Sequence, residues 1–258
     1  MERVVLCRTK PQMKLQGIFV PIAVPFDHHG DLYPVKVQHN IEKLNRTGVS
    51  GYFVCGREHS YLSCNELLRV WEWVAQYAAP EKLLIAFTGR TSVRETVDLS
   101  NRVAKLGYKA AWAYDPNTVY VSSVADQIAI PLLLPWHAVP KVEHPNAFPQ
   151  AVAVSSSNLA KAFADGATAA FSEFANAAPY AAISIWEAHR TREYEAALDW
   201  QNRIAQAVHL VEGQYGIAGL KYAMDLNGYY GGPPRLPLIG LTPAAKKEIE
   251  QAFDGLRG

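Results

Sequence analysis

Three adjacent residues, Arg57-Glu58-His59, set a cation, a carboxylate and an imidazole side by side just after the apolar run Gly51-Tyr52-Phe53-Val54-Cys55. A carboxylate beside an imidazole can trade protons near neutral pH, and the planar donor fork of arginine suits a substrate carboxylate or phosphate. Further candidates recur where other apolar runs end. Arg90 follows Leu83 to Phe87, Tyr114 ends Ala110 to Tyr114, Trp136-His137 and Lys141 follow Ile130 to Leu134, and Ser155 ends Ala151 to Ser155. We expect Glu58, His59, His137 and Tyr114 to act on protons, and Arg57, Arg90, Lys141 and Ser155 to bind the substrate.

Each of these has a plainer reading. Mixed charge in a surface loop needs no function, a lone histidine commonly just packs, and a loop lysine is ordinarily solvated. Ser155-Ser156-Ser157-Asn158 can bind an oxyanion at a helix start but is also an ordinary cap. Glu173, inside Thr168 to Phe174, is harder to set aside, because a buried carboxylate must be paired or neutralised. Glu58, His59, Asp115, His137 and Glu173 hold donors enough for a divalent metal, yet no HxH or HxxxH spacing groups them, so neither a metal nor another cofactor is expected. There is no Walker loop, no GxGxxG opening a helix and no GxSxG elbow.

Positioning these residues falls to alternating elements. Gly17 to Val24, Gly51 to Cys55, Leu83 to Phe87 and Ala110 to Tyr114 read as strands. Helices separate them: Val35, Ile41 and Leu44 recur at helical spacing before Gly48, Ser63 with Glu66 forms a capping box opening a helix to Tyr77, and Ser92 to Leu106 is the next. Such alternation implies a parallel sheet whose working face lies at the carboxyl ends of the strands. Strand starts fall about 33, 32 and 27 residues apart and then only about 20, 20 and 17, so the second half is compressed. From Pro179 onward the pattern is helical, through Glu193 to Val211, Ile217 to Leu226 and Pro243 to Phe253. We expect an arm over residues 1–16, a trimmed barrel over 17–190 and a helical extension over 191–258 packed on it.

Composition narrows the partners. The 258 residues are 49% hydrophobic and 19% charged, the profile of a folded globular protein. Lys+Arg at 25 and Asp+Glu at 24 nearly cancel, leaving no net field to draw nucleic acid or anionic lipid. No apolar run reaches the roughly 18 residues of a membrane span. Cys7, Cys55 and Cys64 have no CxxC spacing, which suits a reducing compartment. A cytoplasmic protein with a small-molecule substrate, and with neither nucleic acid nor membrane as partner, is expected.

Three blocks carry a family resemblance. They are Gly17 to Asp27 with Gly30 downstream, Gly48 to Gly56, and a tail of Asn176 to Pro179 with Lys221-Tyr222-Ala223 and Arg235 to Leu238. In order and location they resemble the dihydrodipicolinate synthase and N-acetylneuraminate lyase family. The resemblance implies a TIM (β/α)8-type barrel, assembly as a homo-oligomer, and lyase or aldolase chemistry on a small 2-oxo acid or related carbonyl compound. It also implies that Glu58 matches the glutamate of the family's G-x-x-G-E turn, where its part is largely architectural, and that Lys221 is structural.

The family's chemistry depends on a lysine in a G-x-K-E context that condenses with pyruvate, on a tyrosine in Y-N-x-P-x-R, and on the threonines of G-T-T-G-E. None of these three motifs occurs in the chain. About 170 residues remain for the barrel, below the roughly 200 at the low end for the fold, and the shortage falls where the family keeps its lysine. The expected protein is thus a divergent lyase that does not use the usual imine, with a non-catalytic ligand-binding relative of the enzymes as the alternative.

Overall fold

The computed structural model describes residues 13–113, 117–135, 144–150 and 152–256. In the first half, β1 (Gly17–Pro21), α1 (Pro34–Asn45), β2 (Gly51–Val54), α2 (Cys64–Tyr77), β3 (Leu83–Phe87), α3 (Val93–Lys105), β4 (Ala110–Trp112), α4 (Thr118–Gln127) and β5 (Leu132–Pro135) alternate. Then come β6 (Ala147–Gln150), β7 (Val152–Ala153), α5 (Leu159–Ala164), β8 (Ala169–Phe171), α6 (Pro179–Arg190), α7 (Tyr194–Val208), α8 (Gly216–Leu226) and α9 (Pro243–Ala252).

The strands form one parallel sheet in the order β6-β5-β4-β3-β2-β1-β8-β7. Its two end strands are one residue apart in sequence. β6 therefore pairs with β5 (Leu132↔Ala147), and β7, next along the chain, pairs with β8 (Val152↔Ala169). The chain itself joins the two ends of the curled sheet, giving a TIM-barrel-type α/β fold with C-terminal helices.

Burial on both faces explains why the strands read as nearly unbroken apolar runs. Phe19, Ile85, Ala110, Leu133 and Ala169 fill the interior, with Phe53, Trp112 and Phe171 in the same cluster. Val20, Tyr52 and Val54 belong instead to the layer shared with Val37 and Ile41 of α1 and Val70 and Trp71 of α2. Gly51 is required by the close approach of two strands, since a Cβ there would sit 2.0 Å from the Leu83 carbonyl oxygen. The capping box expected at Ser63 and Glu66 is present.

Several expectations need correction. The first strand ends at Pro21, three residues before Val24, because the main chain of Ala23 and Val24 bonds to side chains and not to a neighbouring strand. The pass expected at Ala151 to Ser155 begins at Ala147, and the Pro149 within it is what made that stretch read as a break. Thr168 to Phe174 is strand only over Ala169–Phe171, so Glu173 stands on the turn beyond it. α4 was not expected; Asn117 creates it by accepting bonds from Val119 N and Tyr120 N in place of a plain turn.

Candidate active site

The strand exits meet at a cavity of about 240 Å³ whose floor is aromatic. Phe53 stacks on Phe171 with ring centroids 4.6 Å apart, and Trp112 meets Phe171 edge-on at 4.9 Å. Phe87 lies edge-on to Phe53 at 6.2 Å. Pro21, Gly56 and Val154 complete the apolar lining, and Arg57 and Glu173 supply its charged groups. Among the described residues, no lysine lines this cavity.

Arg57 reaches the mouth through a tight turn. Cys55 adopts a left-handed backbone with φ of 64°, and the 3-10 turn Arg57–Tyr61 starts two residues later. A buried non-glycine residue in that region marks a conformation that the surrounding packing enforces. Arg57 Nε then lies 3.1 Å from Glu173 Oε1, and its Nη1 donates to the Glu212 carbonyl at 3.4 Å.

Glu173 follows β8 and is mostly buried. Its Oε2 is buried without a hydrogen-bond partner among the described residues. Desolvation pushes its pKa up to about 7; Arg57 opposes that shift, while Glu212 and Glu58 add to it. A carboxylic acid that is half-ionised at neutral pH beside a guanidinium can both give and take a proton.

The C-terminal helices deliver Glu212 to the same place. It sits on a π-helical turn, His209–Gln214, between α7 and α8. Its carboxylate accepts from Ser155 Oγ at 3.1 Å, Ser156 N at 2.9 Å and Phe174 N at 3.1 Å, and from Ser156 Oγ. It thereby ties the exits of β7 and β8 together on either side of Glu173. Sequence reasoning missed Glu212. The signal was Gly213 and Gly216 interrupting a helical pattern, which is where a π turn is tolerated.

Glu58 is placed behind the mouth. Its Oε2 accepts from Val24 N at 2.6 Å and its Oε1 lies 3.5 Å from Lys221 Nζ. Lys221, 1% exposed on α8, donates to the Val24 carbonyl at 2.5 Å and the Gly231 carbonyl at 3.2 Å. Burial lowers the Lys221 pKa, and Glu58 counteracts this. With Asn176, which accepts from Ala23 N and donates to the Pro21 carbonyl, this pair anchors the irregular exit of β1.

The other candidates are dispersed. His59 bonds through Nδ1 to the Gly56 carbonyl at 2.7 Å, which puts the proton on Nδ1, and its ring lies 4.3 Å from that of Phe87. Burial is the main cause holding its pKa below the ordinary imidazole value. Arg90 turns to Glu95, 3.6 Å away, and does not line the cavity. Ser155 touches the site only through Glu212. Tyr114, Asp115, His137 and Lys141 lie outside the described residues. Among the described residues, no three His, Cys, Asp or Glu side chains are grouped to hold a metal ion, and no helix is long and apolar enough to cross a membrane.

Comparison with known proteins agrees with this architecture. The dihydrodipicolinate synthetase family model matches residues 14–124, ending within α4. A 4-hydroxy-tetrahydrodipicolinate synthase from Exiguobacterium sp. is 22% identical over 285 residues, covering 92% of this chain and 97% of that protein. One from Methanothrix thermoacetophila is 26% identical over 286 residues, covering 92% and 96%. Both alignments are longer than the whole 258-residue chain, so these relatives carry segments it lacks. The solved N-acetylneuraminate lyase from Aliivibrio salmonicida superposes with a TM-score of 0.80 at 21% identity, covering 95% of this chain and 98% of that one. The matched stretch, the full-length relatives and the barrel agree in one likeness: the chain is similar to the dihydrodipicolinate synthetase family.

Proposed function

We propose that the protein is a lyase of the aldolase type that cleaves or forms a carbon–carbon bond in a small 2-oxo acid, without a lysine imine, at the aromatic-floored mouth. Similarity to the dihydrodipicolinate synthetase family supports lyase chemistry. The observation that carries the finer reading is the pairing of Arg57 with Glu173 at the cavity, with the second Glu173 oxygen unpartnered. Cleaving a 4-hydroxy-2-oxo acid needs a base to take the hydroxyl proton and a cation to hold the charge that arrives on the 2-oxo oxygen. Ionised Glu173 is the base; Arg57 binds the carboxylate and steadies the enolate. Protonated Glu173 then returns the proton to the enolate carbon, so the acid and base forms are both used.

Glu58, tied to Val24 and Lys221, is assigned a supporting part, while His59, with Nε2 left over from its bond to Gly56, stays a second proton carrier at the rim. Three cysteines without CxxC spacing support a cytoplasmic protein, the family resemblance supports a homo-oligomer, and the element pattern supports a barrel over 17–190 with a helical extension over 191–258. Pyruvate release from 4-hydroxy-2-oxo acids tests the reading. Arg57→Gln and Glu173→Gln should each lower kcat/KM by about 100-fold or more, and a folded wild-type protein that binds these acids but never turns them over is instead a non-catalytic binder.

A further inference from the structure

We infer that the mouth cavity selects a monocarboxylate bearing a planar apolar group, an aryl-substituted 2-oxo acid rather than pyruvate alone or a hydroxylated sugar acid. The inference rests on the proposed carboxylate site at Arg57. Beyond it, the described lining offers little but aromatic and aliphatic surface.

Phe53, Phe87, Trp112 and Phe171 come from four different strands and converge at one level of the barrel. Their mutual stacking fixes them, so the floor is set before a ligand arrives and little side-chain entropy is lost on binding. A flat ring laid on this floor gains edge-to-face and offset contacts. Val154, 55% exposed at the rim, would be covered by the same ring.

A polyhydroxylated chain meets the opposite circumstances. Arg57 and Glu173 are the only charged side chains in the described lining, and they already face each other at 3.1 Å; Trp112 adds a single indole N–H donor and no acceptor. Most hydroxyls beyond the reach of this pair would leave water for described walls that offer them few partners, and sites of this kind reject such groups strongly. Pyruvate has no such penalty, but it leaves the aromatic floor wet. The cavity volume of about 240 Å³ suits a ligand of small size.

Isothermal titration calorimetry of the full-length protein with phenylpyruvate, pyruvate and gluconate separates these cases. Phenylpyruvate should bind at least about tenfold more tightly than pyruvate, with gluconate weakest. Phe87→Leu should cost phenylpyruvate about tenfold while leaving pyruvate unchanged. Val154→Ser, at an exposed position where folding is not at stake, should cost it about threefold. Equal affinities for phenylpyruvate and pyruvate, tighter gluconate, or indifference to both substitutions overturn the substrate class alone, provided Arg57→Gln still weakens every acid. If Arg57→Gln leaves all three affinities unchanged, or none of the acids binds, the carboxylate site itself is wrong and the proposed function falls with it.

Discussion

Arg57 and Glu173, 116 positions apart in sequence, meet across the barrel mouth with Nε 3.1 Å from Oε1, and the remaining carboxylate oxygen is buried with no partner among the described residues. Burial wins over the ion pair, since the pKa of Glu173 rises to about 7 despite the guanidinium. Activity should therefore change around neutral pH with Glu173 as the titrating group. A pH–rate profile of kcat/KM should show a limb near pH 7 that disappears in Glu173→Gln; retention of that limb assigns it to another group.

The same shift bears on stability. Glu173 has an ordinary value of 4.5 and a folded value of about 7, so between these the folded state holds the proton more tightly than the unfolded chain. Stability is lost as pH rises through that window, by at most about 3 kcal/mol. Glu173→Gln should then be more stable than wild type by about 1–3 kcal/mol at pH 8 and little different near pH 4.5. Denaturant midpoints at the two pH values measure this, and a variant less stable at pH 8 contradicts the burial account.

The Glu212 carboxylate is engaged by its neighbours, which suits a positioning part. Its charge contributes to raising the Glu173 pKa, and its carboxylate holds Ser155, Ser156 and the Phe174 amide. Glu212→Gln should shift the neutral limb of the pH profile to lower pH, which a purely structural role would leave in place. Loss of stability with an unmoved limb would reduce Glu212 to a tie between strand exits.

Glu58 and Lys221 form a buried pair at 3.5 Å, and both also bond the main chain of Val24. Removing one partner strands the other's charge, so Lys221→Met and Glu58→Gln should each cost about 3–5 kcal/mol. Their double replacement should cost less than the sum, because neither charge remains. Thermal or urea unfolding gives the coupling; strict additivity would mean that the two do not interact.

Much of the barrel was legible because its first half obeys local rules. The Ser63 and Glu66 box, the glycine at 51 and the apolar runs at Leu83 and Ala110 each specify an element from nearby residues. Legibility faded where one segment performs two tasks. Residues 147–150 pair with β5 and residues 152–153 with β8, and a pattern containing Pro149 does not announce a strand. At the site, position after a strand drew attention to Arg57, which lines the cavity, whereas Glu58 four residues past β2 turns inward to Val24. No periodicity could separate those two neighbours, since a 3-10 turn points them in different directions. Glu212 was hidden because its partners come from residues 38 to 57 positions away.

The central claim is catalysis at Arg57 and Glu173 without a lysine imine. The direct measurement is intact-protein mass after borohydride treatment during turnover of a 4-hydroxy-2-oxo acid, with pyruvate release followed in the same sample. The account predicts pyruvate release that depends on Arg57 and Glu173 and a protein mass unchanged by borohydride. A reduced pyruvate adduct on any lysine, Lys141 included, would contradict it.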